Sequence, residues 1–158
     1  MKKVAFINAP QFRIKIVEEA GDLIRITFHE DRVFADEELK DSDTIKKAST
    51  QLGEYFKGSR KAFDLPMRLV GTDFQMRVWA SLQKIPYGKT ISYKEVAQMI
   101  DHPRAYRAVG SANHYNPLPI IIPCHRVIKS GGQVGGYGGG SLIKEHLLLL
   151  ERSNNYKT

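Results

Sequence analysis

The run Ile120-Ile121-Ile122-Pro123-Cys124-His125-Arg126-Val127-Ile128 constrains this chain more than any other stretch. Three β-branched aliphatics in succession predict a short buried strand over 120–122. Pro123 cannot donate to a strand ladder, so the strand is expected to end there or lie at an edge. The thiol of Cys124 would then be delivered at a strand end. His125 and Arg126 place potential positive charge beside it, and such surroundings raise the thiolate fraction. A free cysteine is also commonly a small buried hydrophobe. On these nine residues alone both readings stand.

Composition narrows the setting. A length of 158 residues leaves room for one ordinary domain or two small ones, and a 42% hydrophobic content supports a real core. The single cysteine excludes an internal disulfide and a Cys-rich zinc site, and points to a reducing, cytoplasmic setting. The apolar run after Met1-Lys2-Lys3 breaks at Asn8 and Pro10, too early for a signal peptide. No stretch approaches the roughly 20 apolar residues that span a bilayer, so no membrane partner is expected. The net charge of +7 is uneven: residues 1–71 hold 13 Lys+Arg against 12 Asp+Glu, and residues 72–158 hold 11 against 5. Any polyanion-binding role therefore falls to the second half.

Taken in order, residues 11–18 alternate, with Phe12, Ile14 and Ile16 opposite Arg13 and Lys15. After a Gly21-Asp22 turn, Ile24, Ile26 and Phe28 alternate again. This pattern predicts a β-hairpin, with Val33-Phe34 as a candidate third strand. Asp41-Ser42-Asp43 caps a helix whose apolar face is Ile45, Ala48, Leu52, Tyr55 and Phe56. Residues 58–71 carry loop signals. Thr72 and Gln75 form a capping box ahead of a helix bearing Phe74, Val78, Leu82 and Ile85, with Trp79 in its core.

A second capping box, Ser92 with Glu95, opens a helix that runs to about Ile100. Asp101-His102-Pro103 breaks it. A further helix begins near Arg104, with Ala105, Ala108, Val109 and Ala112 as a small apolar face. The pair reads as a helix-turn-helix or as an ordinary helical hairpin. The second helix carries few long polar side chains of the kind that read bases. Residues 131–140 hold seven of the thirteen glycines. That loop lacks phosphate-loop and dinucleotide spacing, and it could wall a pocket for a flat ligand. Ser141 is expected to cap a last helix with Leu142, Leu147, Leu148 and Leu150 inward and Glu151 near its end.

Pro123-Cys124-His125-Arg126-Val127 resembles the active-site signature of the 6-O-methylguanine-DNA methyltransferases. Gly71-Thr72-Asp73-Phe74-Gln75, Val78-Trp79, Ile85-Pro86-Tyr87-Gly88-Lys89-Thr90, Ser92-Tyr93, Arg107-Ala108-Val109-Gly110, Asn116-Pro117 and Ile122 match the same pattern in order and spacing. The resemblance covers roughly residues 63–152. It implies an α+β protein in which a small ribonuclease-H-like α/β support domain (1–70) precedes a mostly helical, winged helix-turn-helix-like domain (71–158) that binds DNA and accepts the alkyl group.

The resemblance implies direct reversal of DNA damage. The alkyl group of 6-O-methylguanine would pass irreversibly to Cys124, once per molecule and without a cofactor. His125 would deprotonate the thiol through a water, Glu151 would orient that imidazole, and Asn116 would hinge the cysteine loop. Tyr93 would crowd the flipped nucleotide and donate to the guanine. Arg107 would fill the gap in the duplex, with Tyr106, Ala108, Gly110 and Ser111 against the minor groove. Val127, Tyr137, Gly138 and Gly139 would shape the base pocket. The partner is double-stranded DNA, bound by a monomer; cooperative binding and action on 4-O-methylthymine stay open.

Two positions depart from the family pattern. Gly138 stands where many relatives carry Ser, and Tyr106 is bulkier than the usual small residue. With one cysteine, and His29 alone nearby, the N-terminal zinc of some relatives is not expected, and no metal is assigned. Lesion binders of similar fold lack the acceptor thiol, so Cys124 argues against that class. No second histidine suits a Cys-His hydrolase, and an incidental cysteine in a regulator leaves the Tyr93, Arg107 and Cys124 spacing unexplained.

Overall fold

A computed structural model describes residues 1–137 and 139–155. The chain divides into two compact units, Met1–Leu69 and Val70–Thr158.

In the first unit four strands, β1 (Lys2–Asn8), β2 (Arg13–Glu19), β3 (Asp22–Phe28) and β4 (Glu37–Leu39), form one sheet in the order β3-β2-β1-β4. β1 and β3 run antiparallel to β2, and β4 lies parallel to β1. The expected hairpin is present, but its turn is Ala20-Gly21, both at positive φ (53° and 89°), and Asp22 already pairs with Glu19. Left-handed values at both central residues match the twist of the flanking strands. Val33 and Phe34 form no strand and are exposed. The added strand comes instead from β1, in the apolar run that breaks at Asn8.

Helix α1 (Asp43–Phe56) is capped by Ser42, whose hydroxyl accepts from the Ile45 amide, and it buries Ile45, Ala48, Leu52, Tyr55 and Phe56. The polar side of β2 is also covered. Lys15 is buried, and its ammonium donates to Glu37 Oε1 at 2.6 Å and to the Arg32 carbonyl at 2.8 Å. The alternation in β2 therefore separates an apolar face from a paired-charge face, not a core face from solvent.

The second unit holds α2 (Asp73–Leu82), α3 (Tyr93–Met99), α4 (Tyr106–His114) and α5 (Ser141–Asn154). A two-stranded parallel pair, β5 (Ile91–Ser92) and β6 (Val127–Ile128), accompanies them. Both capping boxes form as expected, Thr72 with Gln75 and Ser92 with Glu95. Trp79 is buried and donates from Nε1 to the Ala112 carbonyl at 2.9 Å, fixing α2 against α4. Two expectations about faces are corrected. Ala108 is exposed, while Val109, Ala112 and Asn113 turn inward on α4. On α5, Gly140 occupies the N-cap position at φ 96°, Leu142 is exposed, and Ile143 and Lys144 are buried with Leu147, Leu148 and Glu151.

No helix among the described residues is long and apolar enough to cross a membrane. Among the same residues no group of three or more His, Cys, Asp or Glu side chains gathers as a metal site would require.

Candidate active site

The strand expected over 120–122 does not form. Ile120 sits at φ 76°, and only an isolated bridge joins Pro119 to Ile122. A β-branched residue in the left-handed region costs roughly 1–3 kcal/mol and persists only where its surroundings over-determine it. Asn116 supplies that determination. Its Nδ2 donates to the Ile122 carbonyl at 2.8 Å, and its Oδ1 accepts from the Leu118 amide at 3.0 Å. The Ile122 amide closes the turn onto the Leu118 carbonyl at 2.9 Å. Prolines 117, 119 and 123 remove the donors a ladder would need, so β-branched composition loses to local hydrogen bonding.

Cys124 begins a single 3-10 turn, Cys124–Arg126, that leads directly into β6. The thiol is thus carried on a turn, not at a strand end. Its residue is 3% exposed. Burial pushes the thiol up to about 11; the Asn116 amide, the Lys144 ammonium and the Tyr137 hydroxyl oppose that rise without reversing it. The sequence-based expectation that His125 and Arg126 would acidify the thiol is not met, because both side chains engage Glu151.

Glu151 comes from α5 and is 1% exposed. Burial pushes its carboxyl up, but the His125 hydrogen bond and the Arg126 guanidinium outweigh burial and hold it well below the usual carboxylate range. The carboxylate is therefore ionised, so His125 must carry its hydrogen on Nε2, which donates to Glu151 Oε2 at 2.6 Å. Nδ1 is left with a lone pair, and this buried atom has no hydrogen-bond partner among the described residues. Burial lowers the His125 pKa, against the pull of Glu151. A neutral imidazole with an available Nδ1 has the attributes of a base.

Three participants were not legible in the sequence. Arg126 forks onto Glu151, with Nε to Oε1 at 2.8 Å and Nη2 to Oε2 at 3.0 Å. Lys144 is fully buried, donates to the Val127 carbonyl at 2.6 Å, and is lowered by burial to about 8, an effect its proximity to Cys124 opposes. Asn113 donates to the Cys124 carbonyl at 3.2 Å. Lys144 and Glu151 are seven residues apart on one helix, two turns along one face, which is the signal that could have drawn attention to Lys144.

The remaining expected residues fall into two sets. Tyr93, Tyr106, Arg107 and Gly110 line one open cavity of about 380 Å³ together with Lys129 and Gly136. Arg107, Ala108 and Ser111 are exposed along α4. Lys94 Nζ and Arg107 Cζ lie 5.5 and 5.9 Å from the Tyr106 ring centroid. Burial raises the Tyr93 pKa, and Cys124 adds to the rise; the Tyr93 hydroxyl thus stays protonated and able to donate. Val127, Tyr137 and Gly139 are buried, and of these Tyr137 acts on the Cys124 thiol. Gly138 lies outside the described residues.

Residues 73–153 match the family described as 6-O-methylguanine DNA methyltransferase, DNA binding domain, and residues 3–69 match its ribonuclease-like domain. The chain belongs to the 6-O-methylguanine DNA methyltransferase family. A methylated-DNA--protein-cysteine methyltransferase of Methanosarcina barkeri is 53% identical over 73% of this chain and 73% of its own length. That of Methanosarcina mazei is 42% identical over 94% of this chain and 96% of its own. The crystal structure of Mycobacterium tuberculosis OGT in complex with DNA superposes with a TM-score of 0.89 at 41% identity, covering 96% of this chain and 94% of that one. For this methyltransferase-family chain the expected fold class holds: a ribonuclease-like α/β unit followed by a mostly helical DNA-binding unit.

Proposed function

We propose that this chain repairs DNA by moving the alkyl group of 6-O-methylguanine onto Cys124 Sγ. A sulfur–carbon bond forms as the bond from the alkyl carbon to O6 breaks, in line. The guanine leaves with its electron pair and recovers a proton. The thioether is stable to water, so each molecule acts once. The observation that carries this reading is the lone buried thiol beside an imidazole whose Nδ1 has no hydrogen-bond partner among the described residues and whose other nitrogen is held by a carboxylate at 2.6 Å.

Magnitude explains why the relay is needed. A thiol with a pKa near 11 is ionised in only about one molecule in ten thousand at pH 7. The neutral thiol is a poor nucleophile. Proton removal must therefore accompany the reaction. His125 Nδ1 takes that proton through a bridging water, and Glu151 holds the imidazolium that results. Lys144 adds a buried cation beside the developing thiolate. Tyr93 donates to the guanine and eases the departure of its oxygen.

DNA is the partner, and the M. tuberculosis relative crystallised with it supports that assignment. A buried thiol cannot reach a stacked base, so the damaged nucleotide must swing out of the duplex. Arg107 enters the gap it leaves. Tyr106, Ala108, Gly110 and Ser111 lie along the minor groove, with Asn116 as the hinge behind the thiol. Val127, Tyr137 and Gly139 shape the base pocket. The division of labour follows the two units: residues 1–70 support, residues 71–158 bind and react. The protein works as a cytoplasmic monomer.

Incubation with duplex carrying 6-O-methylguanine, followed by peptide mass analysis, tests the reading. One added methyl on the Cys124 peptide per repaired lesion is expected. An unmodified Cys124 peptide with the lesion intact would sink it, and several lesions repaired per molecule would sink the single-use part.

A further inference from the structure

We propose that Arg126 is a positioning residue of the relay: by sharing Glu151 with His125, it keeps the imidazole neutral in the resting protein and so able to accept the Cys124 proton. This inference rests on the transfer reading above and adds a residue to it.

The geometry comes first. Both oxygens of Glu151 are engaged. Oε2 accepts from His125 Nε2 at 2.6 Å and from Arg126 Nη2 at 3.0 Å; Oε1 accepts from Arg126 Nε at 2.8 Å and from the Gly88 amide at 3.1 Å. The third arm of the guanidinium, Nη1, donates to the Ile85 carbonyl at 2.7 Å. The guanidinium is therefore fixed on three sides, in a side chain that is 8% exposed. A planar fork of this kind suits a carboxylate bidentately and never gives up its proton.

The charge balance follows. A buried carboxylate facing an imidazole alone favours the imidazolium, because an opposite charge at that distance stabilises the protonated ring. An imidazolium has no lone pair and cannot act as a base. Arg126 supplies a permanent positive charge to the same carboxylate, so the pair is already neutral before His125 titrates. A proton on His125 would then leave an uncompensated buried cation, which burial penalises heavily.

That penalty disappears once the thiol ionises. The resting state, thiol with imidazole, and the reacting state, thiolate with imidazolium, carry the same net charge. The proton therefore moves from Sγ to Nδ1 without creating net charge in the interior. The charged and titratable groups around His125 are Cys124 and Arg126 on its own turn, Glu151 and Lys144 from α5, and Tyr87 from the segment after α2, whose ring centroid is 5.6 Å from Arg126 Cζ. Lys144 pushes in the same direction as Arg126, and among the described residues Glu151 pulls the other way.

The test combines a titration that needs no substrate with a rate measurement. Ring-carbon NMR signals of His125 are followed against pH in the unsubstituted protein, in Arg126→Gln and in Arg126→Lys, alongside single-turnover methyl transfer from lesion-bearing duplex. His125 is expected to stay neutral through pH 7 and to titrate below its ordinary value in the unsubstituted protein. In Arg126→Gln its midpoint moves upward, the acid limb of the transfer rate moves with it, and the rate at pH 7 falls by at least about tenfold. Arg126→Lys retains the charge, so its His125 midpoint stays below the ordinary value even where the lost fork slows transfer. A His125 midpoint at or above the ordinary value in the unsubstituted protein overturns the proposal, and so does an unchanged midpoint in Arg126→Gln. Should Arg126→Gln fail to fold, the unsubstituted protein and Arg126→Lys decide alone, an upward shift in the latter counting against the charge account. Absence of methyl transfer with the expected titrations would overturn the repair reading instead, and leave the Arg126 assignment standing.

Discussion

The Asn113 side chain donates to the carbonyl of Cys124 at 3.2 Å, joining α4 to the turn that carries the thiol. The same carbonyl also accepts the Val127 amide. Helix position and thiol position are thereby linked through a single amide.

Asn113→Ala removes that link. The carbonyl keeps one partner, so the cost to stability is expected near the low end for a buried hydrogen bond, about 1 kcal/mol. The effect on reaction should be larger than on folding, because the turn loses its tether to α4. Urea unfolding followed by Trp79 fluorescence measures the first, and single-turnover transfer measures the second. A variant with normal transfer would show that the turn is held by Asn116 alone.

Acid should destabilise the second unit. The folded Glu151 carboxyl is held below its ordinary value, so its contribution is present above that value and is lost as pH falls. Burial also lowers the folded His125 pKa. The unfolded chain then binds a proton below about pH 6.5 that the folded chain refuses, which acts in the same direction. Unfolding free energy is therefore expected to decline steadily from pH 7 to pH 4. Trp79 is the one tryptophan and is buried in this unit, so its fluorescence isolates the relevant transition. A flat profile over that range would contradict the assigned charge states.

Arg107 is exposed on α4 and lies beside Tyr106. If it fills the space of an extruded nucleotide, Arg107→Ala should slow transfer by on the order of tenfold when the lesion is firmly paired, and by less when it sits in a loose mismatch that extrudes easily. Transfer rates on the two duplexes give the comparison. Equal losses on both would assign Arg107 to backbone contact instead.

Gly135 combines a positive φ of 80° with a close approach, since a Cβ there would stand 3.0 Å from the Tyr93 hydroxyl. Gly135→Ala should cost about 1–2 kcal/mol through the left-handed backbone and slow transfer by displacing Tyr93. Gly131 has open space around it, so Gly131→Ala serves as the control and is expected to be nearly silent. Thermal unfolding and transfer rates of the pair test this.

The parts of the fold written in local code were legible in the sequence. Ser42, the Thr72–Gln75 box and the Ser92–Glu95 box each bond within one turn of helix, and all three form where expected. Alternation in residues 13–28 likewise found its hairpin. The central strand β1 was missed because its six residue pairs with β2 are set by the partner strand, not by its own pattern. Ile120 to Ile122 misled because β-branched composition favours strands, whereas Asn116 and three prolines impose a turn. The site divides in the same way. Cys124, His125, Tyr93, Arg107 and Glu151 were named from a resemblance to a family motif. Which way Arg126 turns, and that Lys144 is buried beside the thiol, depend on how α5 approaches, and no local signal records that approach.

Glu151 follows His125 by 26 positions. The cysteine turn and its carboxylate are therefore brought together only when α5 docks. Before that docking the imidazole lacks the group that fixes its tautomer, and the guanidinium lacks its counter-ion. No oriented base stands ready to take the thiol proton until α5 docks. A repair reagent that can be used only once is thus shielded from stray electrophiles by the closed chain, where burial pushes its thiol up to about 11 and the proton leaves only toward His125.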